Sequence, residues 1–86
     1  IAESVLQDRL IKLLKANQVT GYTITQARGE GGHGRRMGDI AGYNTNIEIK
    51  TLVSQEVSDA ILIALKESQD GHALIAYRHN VEALFD

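Results

Sequence analysis

The residues best suited to chemistry crowd into one stretch, Arg28-Gly29-Glu30-Gly31-Gly32-His33-Gly34-Arg35-Arg36. Six of the eight glycines fall between positions 29 and 42. Glycine lets a backbone approach a ligand closely and turn successive N–H groups inward, which makes an anion-binding concavity. Arg35 and Arg36 add planar donor forks that match phosphate oxygens. His33 is a further donor when protonated. Gly29, Gly31, Gly32, His33, Gly34, Arg35 and Arg36 together therefore describe a phosphate cradle. It is not a Walker A loop, because no Gly-Lys-Ser/Thr follows, and no helix is expected after the glycines, as a dinucleotide fingerprint requires. A solvent-exposed hairpin loop without a ligand has the same composition, and composition alone leaves both readings open.

A second constellation is Asp39 followed by Glu48-Ile49-Lys50, the D…ExK pattern of metal-dependent nucleases. On a strand, Glu48 and Lys50 share a face. Two carboxylates can hold Mg²⁺ and a lysine can position water. Glu3, expected on the preceding helix, and a final strand after a helix also suit that core, and phage-type Holliday junction resolvases are somewhat similar. The plainer alternative is an ion pair on a solvated strand face. The formal charge of −2 lacks the basic bias of a DNA-facing enzyme, and the nuclease reading leaves the glycine-rich stretch unexplained. His33, His72 and His79 have no zinc-site spacing. Ser54 and Ser58 lack a local base that would mark a nucleophile. No metal site is expected.

These residues must be positioned by a small frame. Leu6, Leu10, Leu13 and Leu14, with charged residues between them, give a helical stripe over 3–17, with Glu3 or Ser4 near its N-terminus. Residues 21–27 are β-branched and aromatic and read as a strand. Residues 46–53 alternate at Ile47, Ile49 and Thr51, a strand with one buried face. Ser54 is a candidate N-cap for a helix whose stripe is Val57, Ala60, Ile61, Ala64 and Leu65, ended by Asp70-Gly71. Residues 73–77 form an apolar run suited to a central strand, and 80–85 to a short helical turn. Tyr22 and Tyr77 read as sheet residues, and Tyr43 as a loop-tip residue able to touch a partner.

The order helix, strand, glycine loop, strand, helix, strand predicts an α+β domain: a ferredoxin-like βαββαβ fold with an antiparallel sheet whose first strand is largely missing from this chain. The chain opens at Ile1 rather than Met, so residues upstream are expected in the full protein. The 86 residues are enough for one domain, 1–86. A domain this small buries only about 60% of the surface its unfolded chain exposes. With no cysteine to staple it, oligomerisation is the remaining common route to stability. No apolar stretch approaches the roughly 20 residues of a membrane span. With no targeting segment evident, the expected location is the cytoplasm.

Gly21-Tyr22-Thr23-Ile24, then Gly29-Glu30-Gly31 and Gly34-Arg35-Arg36, then Leu74-Ile75-Ala76-Tyr77 with Val81-Glu82-Ala83-Leu84, resemble the PII-like signalling proteins across essentially the whole chain. The nearest branch by resemblance is the inorganic-carbon one, with its bicarbonate-transporter regulators and carboxysome-associated proteins. The resemblance implies a homotrimer with no enzymatic activity and no nucleic-acid partner. An adenine nucleotide (AMP, ADP, ATP or cyclic AMP) would sit in the clefts between subunits, and a T-loop at about 29–45 would respond to it. By position, Gly29, Gly31, Gly32 and His33 would form the T-loop base and Arg36 would bind phosphate. Backbone around Ala73, Leu74 and Ile75 would line the adenine pocket, and Tyr22 and Thr23 would come from the neighbouring subunit. Met37, Asp39 and Tyr43 would meet the partner, a bicarbonate transporter or other carbon-uptake protein, which would bring the protein to the membrane periphery. Bicarbonate is a further candidate ligand, since guanidinium groups suit small oxyanions. Many relatives carry arginine where His33 stands, and the motifs that would imply 2-oxoglutarate sensing are not evident.

Overall fold

The computed structural model describes residues 1–29, 46–68 and 73–85. The chain begins with a short strand, β1 (Ala2–Glu3), followed by a 3₁₀ turn over Ser4–Leu6 and a helix, α1 (Gln7–Ala16). Two longer strands follow, β2 (Thr23–Ala27) and β3 (Asn46–Lys50), and then a second helix, α2 (Gln55–Glu67). The strands pair antiparallel in the order β1-β3-β2. On the outer edge of β1, Ala2 forms an antiparallel bridge with Leu74. The resulting sequence across the sheet, Leu74, β1, β3, β2, is the ferredoxin-like arrangement expected from the element order.

Residues 3–17 do not form one continuous helix. Glu3 belongs to the sheet, and the 3₁₀ turn carries the chain from β1 into α1 without a side-chain cap from Glu3 or Leu6. The far end of α1 is closed more tightly. Gln18 takes a left-handed conformation, φ 71°. Its N–H donates to the Lys15 carbonyl at 3.2 Å, and the Val19 N–H donates to the Leu14 carbonyl at 3.0 Å. That is a Schellman closure, with its usual apolar contact supplied by Leu14 and Val19. Glycine is the common residue at this position, and the glutamine here tolerates a conformation that L side chains disfavour.

The core lies between the two helices and the sheet. Leu14, Val19 and Ile61 form its buried centre, packed by Leu13 of α1, Ile49 of β3, Val53, and Val57 and Leu65 of α2. Ser54 caps α2 as its sequence position suggests: the Ser54 hydroxyl accepts from the Val57 N–H at 3.2 Å. The helix ends at Glu67 with Ser68 as its C-cap, and the expected stop at Asp70-Gly71 lies outside the described residues.

In the apolar run 73–77, Leu74 bridges to Ala2, and beyond Leu74 the chain to Phe85 has neither strand nor helix. The helical turn expected over 80–85 is absent as well. No helix among the described residues is long and apolar enough to cross a membrane.

Candidate functional site

The ladder registers show how the sheet places the site residues. Ala27 pairs with Asn46, Asn46 pairs with Glu3, and the Ala2–Leu74 bridge puts Ala73 opposite Glu3. Ala27, Asn46, Glu3 and Ala73 therefore form one row across the sheet. Three strand spacings of about 4.8 Å separate its ends, roughly 14 Å. The connection 28–45 leaves from Ala27 and returns at Asn46, so the base of the glycine-rich segment and the Ala73–Ile75 backbone emerge at the same end of the sheet. Gly29, two residues beyond Ala27, is exposed there. Gly31, Gly32, His33, Gly34, Arg35, Arg36, Met37, Asp39 and Tyr43 lie outside the described residues.

The Ala73–Ile75 backbone is tied to the first residue of the chain. The Ile75 N–H donates to the Ile1 carbonyl at 2.9 Å, and the Ile1 backbone nitrogen donates to the Ile75 carbonyl at 2.6 Å. Ala73 and Ile75 are exposed and Leu74 is half-buried, so alternate residues of this edge face solvent.

Tyr22 and Thr23 sit at the opposite end. Thr23 pairs with Lys50, four positions along β2 from Ala27. The strand rise makes that about 13 Å along the sheet, and the diagonal from Thr23 to Ala73 about 20 Å. The turn before β2 is fixed by the Thr51 hydroxyl, which donates to the Gly21 carbonyl at 2.6 Å. A Cβ built on Gly21 meets nothing within 4 Å, so close packing does not require this glycine. Tyr22 stays 38% exposed. Among the described residues, Tyr22 and Thr23 therefore lie far from Gly29 and the Ala73–Ile75 edge of the same subunit.

Two residues in the middle of the row were not foreseen there: Asn46 was not singled out, and Glu3 was expected on a helix. Asn46 is 0% exposed and Glu3 is 4% exposed, and both are engaged in polar interactions. They are directly opposed across β1 and β3, so their side chains share a face, the one opposite Ile47 and Ile49. A buried polar side chain is stable only when its hydrogen bonds are made. Removing either partner at this end of the sheet would leave a buried polar group to be satisfied. The available signal was Asn46 itself, a fully polar residue opening an otherwise alternating strand.

Glu48 and Lys50 occupy the same face of β3, as their spacing predicts, and pair with each other: Lys50 Nζ lies 3.7 Å from Glu48 Oε1, with the lysine largely exposed. Asp39, the third member of the D…ExK pattern, lies outside the described residues. Among the described residues no group of three acidic, histidine or cysteine side chains gathers to hold a metal.

Two helices packed on one side of an antiparallel sheet, a long β2–β3 connection and a short strand between β3 and the last segment define a ferredoxin-like α+β protein. The family model described as nitrogen regulatory protein P-II matches residues 1–82. A crystal structure from Thermus thermophilus, provisionally assigned as a PII-like signalling protein, is 43% identical with a TM-score of 0.70; the match covers 88% of this chain and 75% of that one. No curated protein matches the chain. The chain belongs to the PII family. Proteins of this family are generally trimeric, non-enzymatic signalling regulators. Nothing in these similarities points to a nuclease.

Proposed function

We propose that this chain is the subunit of a trimeric PII-like signal-transduction protein that binds an adenine nucleotide in its intersubunit clefts and regulates a partner through the T-loop. The observation that carries this reading is the row Ala27–Asn46–Glu3–Ala73. It sets the root of the glycine- and arginine-rich segment at the same end of the sheet as the Ala73–Ile75 edge, about 14 Å across the strands, with Tyr22 and Thr23 at the far end. Phosphate would draw in backbone N–H groups of the Gly29–Gly34 segment and the Arg36 guanidinium. The edge at Ala73–Ile75 would receive the adenine, and Tyr22 and Thr23 of a neighbouring subunit would close the cleft. Nucleotides with different numbers of phosphates would bias the loop differently, and the loop would admit or refuse the partner accordingly. The protein performs no chemistry in this scheme. By resemblance to the inorganic-carbon branch, the partner would belong to bicarbonate uptake, with bicarbonate as a second candidate ligand.

Calorimetry on the trimer with AMP, ADP, ATP and cyclic AMP tests the reading. At least one nucleotide is expected to bind, and Arg36→Ala is expected to weaken it severely. A trimer that binds none of the four overturns the proposal.

A further inference from the structure

The segment from Ala76 to Phe85 has no helix or strand, and its residues are exposed. One of its side chains is nevertheless fixed to the body of the domain. Arg78 Nη1 donates to the Ser58 hydroxyl oxygen at 2.7 Å and also pairs with the Asp59 carboxylate. Ser58 is oriented to receive it: its hydroxyl donates to the Gln55 carbonyl at 2.7 Å, which leaves an oxygen lone pair for the guanidinium. Both acceptors lie in the first two turns of α2, next to the cap at Ser54.

This contact matters because of what lies three residues upstream. The Ala73–Ile75 edge is held on one side by the two backbone hydrogen bonds between Ile75 and Ile1. Among the described residues, Arg78 makes the next attachment after that pair. Three residues span at most about 10 Å of chain, so a fixed Arg78 restricts where Ile75 and its neighbours can lie.

We propose that Asp59, assisted by Ser58, is a positioning residue of the nucleotide site: it holds Arg78 and thereby fixes the Ala73–Ile75 edge against β1. The proposal rests on the reading of that edge as the adenine contact. Neither partner touches the ligand. Asp59 and Arg78 are each about half exposed, so their attraction is screened by solvent and salt, and a modest effect is expected.

The test uses the full chain with Asp59→Arg, which keeps a good helix former at an exposed helical position and turns attraction into repulsion. Two quantities are read: amide hydrogen exchange over 73–78 without ligand, and affinity for ADP by calorimetry. Asp59→Arg is expected to speed exchange over 73–78 by about two- to fivefold and to weaken ADP by a similar factor. Exchange in α1 and in the β2–β3 ladder should be unchanged. The charge-swapped double variant, Asp59→Arg with Arg78→Asp, is expected to recover most of both losses, and raised salt should shrink the difference from the parent. Unchanged exchange over 73–78 in Asp59→Arg overturns the proposal, as does a swap that recovers neither quantity. If the parent binds ADP and Asp59→Arg binds it equally, only the positioning role falls. If the parent binds no adenine nucleotide, the nucleotide reading falls and takes this role with it.

Discussion

Two defective subunits mixed together are expected to make nucleotide sites that neither makes alone. The first carries Tyr22→Ala and Thr23→Ala; the second carries Arg36→Ala. The expectation follows from the ladder registers. The loop root at Ala27 and the Ala73 edge share one end of the sheet, whereas Thr23 is about 13 Å along β2 and about 20 Å from Ala73. One ligand lying at Ala73–Ile75 and held by the loop would meet Tyr22 and Thr23 only from another copy. In a ring of like subunits each cleft then takes its loop and edge from one chain and its Tyr22–Thr23 from the next. With equal amounts of both variants assembled at random, about a quarter of the clefts pair an intact loop with an intact Tyr22–Thr23. Co-expression with two different tags, followed by calorimetric titration with ADP, measures this as the stoichiometry of tight sites. Recovery near a quarter, with each parent giving none, supports the arrangement. If mixing restores no tight site although both parents assemble, the site lies within one subunit and the argument from the registers is wrong.

The remaining expectations concern what holds the frame. Leu14→Ala should cost about 2–5 kcal/mol in urea unfolding, because Leu14 is buried against Val19 and Ile61 at the core centre; a loss well under 1 kcal/mol would show that the helices do not pack as described. Gln18→Gly should stabilise the chain by about 0.5–1 kcal/mol in the same assay, since it relieves the left-handed strain at the end of α1. A destabilised variant would mean that Gln18 does not hold that conformation. Ser54→Ala should lower stability by about 1 kcal/mol through loss of the cap to the Val57 N–H, and a thermal midpoint unmoved by the change would refute the cap. Glu48→Ala should change stability by no more than about 1 kcal/mol, as expected of an ion pair whose lysine is largely exposed, and should leave nucleotide affinity intact.

Much of this frame was legible in the sequence because it depends on local rules. The Leu13–Leu14 stripe, the Ile47–Ile49 alternation and the Ser54 cap each follow from a period or from hydrogen bonding within a few residues, and each is found in its place. Gln18 was not legible, because a left-handed residue is normally announced by glycine or asparagine. The closure forms here because Val19 gains its packing on Leu14 only if the chain turns at that point. Glu3 was misplaced on a helix for a related reason. Its helical-looking spacing to Leu6 and Leu10 says nothing about the cross-strand pairing with Asn46 that claims it.

The run Ala73–Tyr77 shows most clearly where reading residue by residue stops. Its composition is that of a central strand, but a strand is a pairing, and the ladder on this side needs residues on both edges. Here the pairing consists of the Ala2–Leu74 bridge and the bonds between Ile75 and Ile1. Past Ile75 the backbone pairs with no strand among the described residues, and Tyr77, Val81, Leu84 and Phe85 are exposed. Apolar content identified the segment as material for a sheet, and the register sets which of its residues meets β1. The same register carries the functional argument. It places Ala73 level with the loop root and Thr23 about 20 Å from Ala73, and no motif in the chain encodes either fact. The geometry of the site belongs to the pairing of distant segments, and a change at Ala2 or Asn46 that shifted this pairing by one residue would turn every side chain of the row to the other face.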